Sequence, residues 1–330
     1  METTVTNYLA NLELQGIQQF KNMAVFPVSI PMDGSPQYLT LKEALERRLL
    51  VITEISHGGT VPELMAANNA DIPVLLLDGE ELSGAKQNRV LNTTILLKEH
   101  SETIIPVSCT EQGRWSYTSH EFADSGIIMA QKIRREKART VTDNLKSAPR
   151  AYRANQGQVW DDIARMEVDA GVRSSTGAMK DVFQEKEDDM GEYMKAFPHV
   201  PGQRGLIVFV NGRVAGFDMV SLESAYAVLH TKLIKSYAMD AYLERRKAEG
   251  NYKPSVGDAK AFLGAVQACK EERYESLGHG WDYRYEGQSI VGSALVFSEK
   301  VIHMAFFSIV DSERIGNMSG FRRRRGYRTH

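Results

Sequence analysis

Asn211-Gly212 stands between two strand-like runs, Leu206 to Val210 and Arg213 to Phe217, and no other feature restricts the fold of this chain as strongly. A two-residue Asn-Gly loop suits a type I′ turn, whose twist matches that of the flanking strands, so the two runs must pair antiparallel. A second hairpin is expected where Ile290 to Phe297 and Val301 to Ile309 flank Ser298-Glu299-Lys300. Between them Leu222, Ala225, Tyr226, Leu229, Leu233 and Tyr237 recur at helical spacing, and a further helix is expected from about Asp258 to Cys269. Strands that pair with their neighbours, mixed with helices but without a regular βαβ rhythm, point to an α+β fold rather than a doubly wound one.

The first third reads as strands with one helix. Ala24 to Ile30, Leu50 to Ile55, Arg89 to Leu97 and Thr103 to Cys109 have β character. Thr40 and Glu43 make a capping-box pattern ahead of Leu41, Ala44, Leu45 and Leu49. Pro73 to Leu77 is wholly apolar, the mark of a strand buried on both faces. From Gln131 to about Phe197 charged residues dominate and helical patterns appear, with Val159, Ile163 and Met166 on one face and Met179, Val182 and Phe183 on another. This middle is expected to be a solvated helical layer over the sheet, with a lid or inserted arm as the alternative. The expected division is a β-rich part, 1–130, and an α+β part, 131–330, with a helical insertion at 131–200, or one continuous domain; Ser147 to Gly157 is the candidate boundary loop.

Composition narrows the partners. A net charge of -2 and a pI near 6.5 provide no global field for nucleic acid or an anionic membrane. No segment approaches the eighteen or more apolar residues of a membrane span, and the start of the chain lacks the pattern of a secretory signal. Two cysteines, Cys109 and Cys269, suggest neither a disulfide scaffold nor a zinc site, and a reducing, cytoplasmic setting is expected.

The densest polar segment, Asp78 to Arg89, leaves the buried run at Pro73 to Leu77, and loops at the ends of rigid strands are where sites are commonly placed. Glu80 and Glu81 offer general acid or base groups or ligands for a divalent cation. Lys86 and Arg89 offer charge for a phosphate, and Gln87, Asn88 and Asn92 offer hydrogen bonds to an amide, ribose or base edge. The bland alternative is a polar β-turn with two solvated carboxylates. A second segment, Cys109 to Trp115, repeats the mixture with Glu111, Gln112 and Arg114; Trp115 either stacks on a planar ligand or plugs the core. Both segments leave apolar strands, which is the reason for expecting them to meet.

Other motifs are absent or weak. Four residues separate Cys109 from Arg114 where a cysteine phosphatase loop needs five, so Cys109 is read as a small buried residue. There is no dinucleotide glycine fingerprint, P-loop, nucleophile elbow or zinc-protease motif. His57-Gly58-Gly59-Thr60 reads as a glycine turn, His303 as a core histidine, and Ser174-Ser175-Thr176-Gly177 as a helix cap, either alone or with an anion held there. Gly278 to Arg284, rich in glycine and aromatics, suits the lining of a cleft. Arg322, Arg323, Arg324 and Arg325 make a sharply basic tail, either a solubilising end or a contact for nucleic acid or an acidic partner.

At Leu77-Asp78-Gly79-Glu80-Glu81, at Gly84 to Arg89, and at Ile105 to Cys109 with Glu111 to Trp115, the chain resembles the ADP-ribosylglycohydrolase and rhodanese-phosphatase-superfamily-associated protein domain family. The likeness extends through the Asn211-Gly212 hairpin and the run carrying His303. The resemblance implies work alongside ADP-ribose hydrolases and phosphatase-like proteins, hence a ligand related to ADP-ribose, NAD-derived nucleotides or another phosphorylated metabolite. It implies no particular catalytic residue. The expected function is therefore binding or processing of such a nucleotide at a pocket built by residues 78–115, with Glu80, Glu81 or Glu111 activating water or supporting a cation. A non-catalytic sensor and an adaptor acting through the tail are the alternatives.

Overall fold

The computed structural model describes residues 1–31, 34–56, 62–247 and 253–309. The Asn211-Gly212 turn closes strands Gly205–Val210 and Arg213–Val220, and both turn residues have positive φ, 50° and 75°, as type I′ requires. The second expected hairpin joins Ile290–Phe297 to Lys300–Ser308, with Ser298 and Glu299 left-handed. Both hairpins belong to a nine-stranded antiparallel sheet. Its order runs Glu13–Leu14, Met23–Ser29, Gly205–Val210, Arg213–Val220, Lys300–Ser308, Ile290–Phe297, Trp281–Glu286 and Lys270–Glu275, with Gln18–Phe20 beside Met23–Ser29.

The centre of this sheet is buried on both faces, which is why Leu206 to Val210 is apolar without a break. Ala24, Phe26, Ile207 and Phe209 pack with Val5, Tyr8 and Phe262, from helices Thr3–Ala10 and Val256–Gln267. Val25, Leu206 and Val208 point the other way, into the core built with helix Glu223–Glu244. Each strand divides its alternate residues between the two cores, as a period of two demands.

A second sheet has six strands in the order Phe122–Ile128, Glu80–Gly84, Arg89–Leu91, Ser101–Cys109, Glu63–Asn68 and Leu50–Glu54. A bridge between Thr53 and Glu121 brings its two ends together, so it curls into a small barrel. Ile52, Leu64, Ala66, Leu82, Leu91, Ile105, Val107 and Phe122 fill one core inside it. A three-stranded sheet of Ile95–Leu97, Val74–Leu76 and Leu39–Thr40 lies at the other end, with the Thr40–Glu43 capping box formed as expected. The buried run at Pro73 to Leu77 thus feeds the barrel directly.

The helical middle differs from a solvated layer in one helix. Gln131–Ser147 buries Arg134 and Lys137 completely. Arg134 donates through Nη1 and Nη2 to the Asp218 carboxylate at 3.0 and 2.7 Å and through Nε to Asp78 Oδ2 at 3.1 Å. Lys137 pairs with the same Asp78. Asp78 leads into the barrel and Asp218 lies in the large sheet, so a helix that reads as polar is the clamp between the two. Gly79, at φ 87°, permits it: a Cβ there would stand 2.9 Å from Arg134 Cδ. Burial opposes ionised carboxylates, but Lys137 and Arg134 outweigh it and hold Asp78 below the usual range; Arg134 and His303 do the same for Asp218. His303 is a core histidine, its Nδ1 2.9 Å from Thr94 Oγ1.

Candidate functional site at the barrel mouth

Gly84, Arg89, Cys109, Phe122 and Glu54 stand at one end of the barrel strands. Loops 85–88 and 110–121 both open there, so the two polar segments of the sequence meet at one mouth. The connection from Leu50–Glu54 to Glu63–Asn68 starts at the same end; residues 57–61, with the His57-Gly58-Gly59-Thr60 turn, lie outside the described residues.

Arg114 ties the loops together. Its Nη1 donates to Ala85 O at 2.7 Å, Ser116 O at 3.0 Å and Thr118 Oγ1 at 3.3 Å. Its Nη2 donates to Asn88 Oδ1 at 3.1 Å and Gly84 O at 3.3 Å, and pairs with Glu111 Oε2 at 2.6 Å. Glu111 also accepts from Asn88 N at 3.2 Å and Thr176 Oγ1 at 2.9 Å. Burial pushes this carboxyl up, but Arg114, Asn88 and Thr176 prevail and hold it below its ordinary value. Ser174 accepts from Ala178 N at 2.9 Å, so the 174–177 segment is a turn stapled to Glu111 through Thr176.

Above this staple two half-exposed rings cover a buried lysine. The Lys86 ammonium is 5.3 Å from the Trp115 ring centre and 5.2 Å from that of Tyr117, both within cation–π range. Trp115 is 48% exposed and Tyr117 44%, so Trp115 does not plug the core. The Arg89 guanidinium lies beneath the same indole, 5.6 Å from its centre. Gln87 links the layers, accepting from Arg89 Nη1 at 2.8 Å and donating to Gln112 O at 3.4 Å.

Lys86, Gln87, Asn88, Arg89, Glu111, Gln112, Arg114 and Trp115 therefore converge, while Glu80, Glu81 and Asn92 lie apart from the mouth's open face. Glu80 accepts from Lys232 Nζ at 2.8 Å and Leu77 N at 2.9 Å, and Lys232 also holds Asp124 at 2.7 Å. Its carboxyl is raised, by burial first and by Asp124, against the pull of Lys232. Asn92 is buried, donating to Tyr152 O at 3.0 Å and accepting from Ser108 Oγ at 2.8 Å. Glu81 projects from the opposite side of its strand to Leu82. It accepts from Thr110 Oγ1 at 2.6 Å through Oε1, and Oε2 makes no hydrogen bond among the described residues. Burial, with Glu111 nearby, pushes it up to about 7. The two carboxylates after Asp78 are thus interior groups and not the solvated pair of a surface turn.

Cys109 is buried opposite Arg89, and its thiol is pushed up to about 11 by burial, with Arg89 opposing and Glu54 assisting. That is an inert thiol. Glu54 and Tyr117 also belong to the mouth, outside the two polar segments' candidate residues. The signal for Glu54 is alternation: Leu50 and Ile52 face inward, so Glu54 must follow.

Gly278, His279, Gly280, Trp281 and Tyr283 line a cleft of about 560 Å³ elsewhere on the molecule, whereas Asp282 and Arg284 are buried and pair with each other. Two of the cleft's charged groups have partners: His279 pairs with Glu99 at 2.9 Å, and Arg273 covers Trp281 at 4.4 Å. Among the described residues no group of three or more His, Cys, Asp or Glu side chains is arranged to hold a metal ion, and no helix is long and apolar enough to cross a membrane.

No curated protein and no solved structure matches the chain. A family model does, over residues 11–307, and so takes in the large sheet, the barrel and the helices between them. With nearly its whole length inside that match, the chain belongs to the ARG and Rhodanese-Phosphatase-superfamily-associated Protein domain family.

Proposed function

We propose that the barrel mouth binds a phosphorylated nucleotide metabolite of the ADP-ribose or NAD-derived kind. The observation that carries this reading is the Lys86 ammonium set between two half-exposed rings, Trp115 and Tyr117, with Arg89 behind. The rings offer a stacking surface for a planar base, worth about 1–3 kcal/mol per base in comparable platforms. Lys86 adds positive charge for phosphate, and barrel mouths are favoured places for such ligands. The family's association with ADP-ribose hydrolases agrees with this class, and two free, buried cysteines suit a reducing, cytoplasmic setting.

Recognition is favoured over hydrolysis, because Glu80, Glu81 and Glu111 are each buried and bonded to protein groups. If turnover occurs, Glu81 is the carboxyl poised for proton transfer. Thermal-shift and fluorescence titrations with ADP-ribose, NAD and ADP test the reading. A ligand-induced rise in melting temperature that Trp115→Ala and Lys86→Ala each abolish is the expected result. Shifts unchanged in both variants, or no shift with any nucleotide, refute it. Product formation that Glu81→Gln abolishes would make the protein an enzyme. The basic tail, Arg322 to Arg325, lies outside the described residues; binding that disappears on truncation after Gly320 would favour the adaptor reading.

A further inference from the structure

Inside the barrel Ile52, Leu64, Leu82, Leu91, Ile105 and Val107 are apolar, and at the mouth the same face holds two opposite charges. Strand register puts them on the inward face: Glu54 lies opposite Leu64, Leu64 opposite Ile105, and Arg89 opposite Cys109, four residues on from Ile105. The Arg89 side chain is 0% exposed and that of Glu54 3%. Arg89 Nη2 and Glu54 Oε1 are 3.6 Å apart, an ion pair but too long for a hydrogen bond. Among the described residues, Arg89 Nε and Nη2 donate no hydrogen bond and neither Glu54 oxygen accepts one.

Among the described residues these four buried polar atoms thus keep their bonding capacity unused. Leaving a buried donor or acceptor unsatisfied costs about 1–3 kcal/mol, more when it is charged. The two nitrogens share one edge of the planar guanidinium, the edge that grips two acceptors at once. Beside them the carboxylate offers two acceptors. A phosphate has acceptors only and would meet the Glu54 charge. A vicinal diol suits both partners, giving its O–H protons to Glu54 and its lone pairs to Arg89.

We infer that Arg89 and Glu54 read the vicinal hydroxyls of a ribose, admitted beneath the Trp115 ring that roofs Arg89. This deepens the nucleotide reading of the mouth, on which it rests, by making the site selective for ribonucleotides. The base stays on Trp115 and Tyr117 and the phosphate near Lys86, while the sugar turns inward.

The test is calorimetric titration of the full-length protein with ADP and with 2′-deoxy-ADP, repeated for Glu54→Gln and Trp115→Ala. ADP should bind at least about tenfold tighter than its deoxy analogue, the difference expected when a hydrogen bond to a charged group is lost. Glu54→Gln should bring ADP down to the level of 2′-deoxy-ADP and leave the latter within about twofold. Equal affinities for the two nucleotides in the unsubstituted protein, both lost in Trp115→Ala, overturn the inference and leave the nucleotide reading standing. Binding of neither nucleotide overturns both. The ratio in the unsubstituted protein decides the matter even if Glu54→Gln does not fold.

Discussion

Glu81→Gln should stabilise this protein, and only at neutral and higher pH. Glu81 is wholly buried, and its carboxyl is pushed from an ordinary 4.5 up to about 7. Between those values the folded state holds a proton that the unfolded chain has released. Stability therefore falls as pH rises from about 4.5 to 7, and the full cost is present above that window. At about 1.4 kcal/mol per pH unit the cost is roughly 3 kcal/mol. Glutamine is nearly isosteric, keeps an oxygen for the Thr110 hydroxyl, and has no charge to desolvate. The variant should match the parent at pH 5 and exceed it by up to roughly 3 kcal/mol at pH 8. For a chain of 330 residues the unfolding entropy is about 0.7 kcal/mol/K, so the melting temperature should rise by roughly 4 °C at pH 8. Thermal melts of both proteins at pH 5, 6, 7 and 8 measure this. A difference that stays constant across the series refutes the argument, because a neutral-to-charged transition inside the fold must leave a slope.

Two further outcomes follow from the buried charges and the tight turns. Asp78→Ala strips Arg134 and Lys137 of a shared counter-ion and should destabilise the fold by about 3–5 kcal/mol in urea denaturation. Because Asp78 and Asp218 are held below the usual carboxylate range by their cationic partners despite burial, their stabilisation is present above the unfolded value of 3.8 and is lost as pH falls through the folded ones; this acid-side loss should be blunted in Asp78→Ala. Gly212→Val forces a β-branched residue to φ 75° and should cost about 1–2 kcal/mol, read as a lower denaturation midpoint with an unchanged slope.

Both hairpins, the capping box and the long apolar-faced helix are written locally, in two to five consecutive residues or one helical period, and are legible for that reason. The two polar segments are also legible, since each directly follows an apolar strand. Barrel closure is not, because Thr53 and Glu121 meet across nearly seventy residues through one bridge. Without closure nothing indicates that Glu54 and Arg89 face one another. The roles of polar and charged residues are the least legible. Arg114, Glu111 and Asn92 have the chemistry of ligand binding, yet each is engaged by protein groups. Helix Gln131–Ser147 reads as solvated because its charges outnumber its apolar residues, but Arg134 and Lys137 are counter-ions to aspartates far away in the sequence.

That clamp explains where the exposed loops sit. Strand Glu80–Gly84 begins two residues after Asp78, which Arg134 and Lys137 fix against the large sheet, and ends at the mouth. One end of the barrel is thus immobilised by buried ion pairs, and the other carries loops joined by backbone hydrogen bonds, Thr110 N to Asn88 O and Thr118 N to Ala85 O, and by the Arg114 guanidinium. Rigid strands ending in polar loops are the arrangement in which a ligand can reorder side chains without disturbing the fold. Removing the clamp should therefore lower stability while leaving nucleotide affinity of the folded fraction intact, and removing the Arg114 staple should weaken affinity more than stability. Equal effects of Asp78→Ala and Arg114→Ala on both quantities would mean that the barrel is one cooperative unit from clamp to mouth.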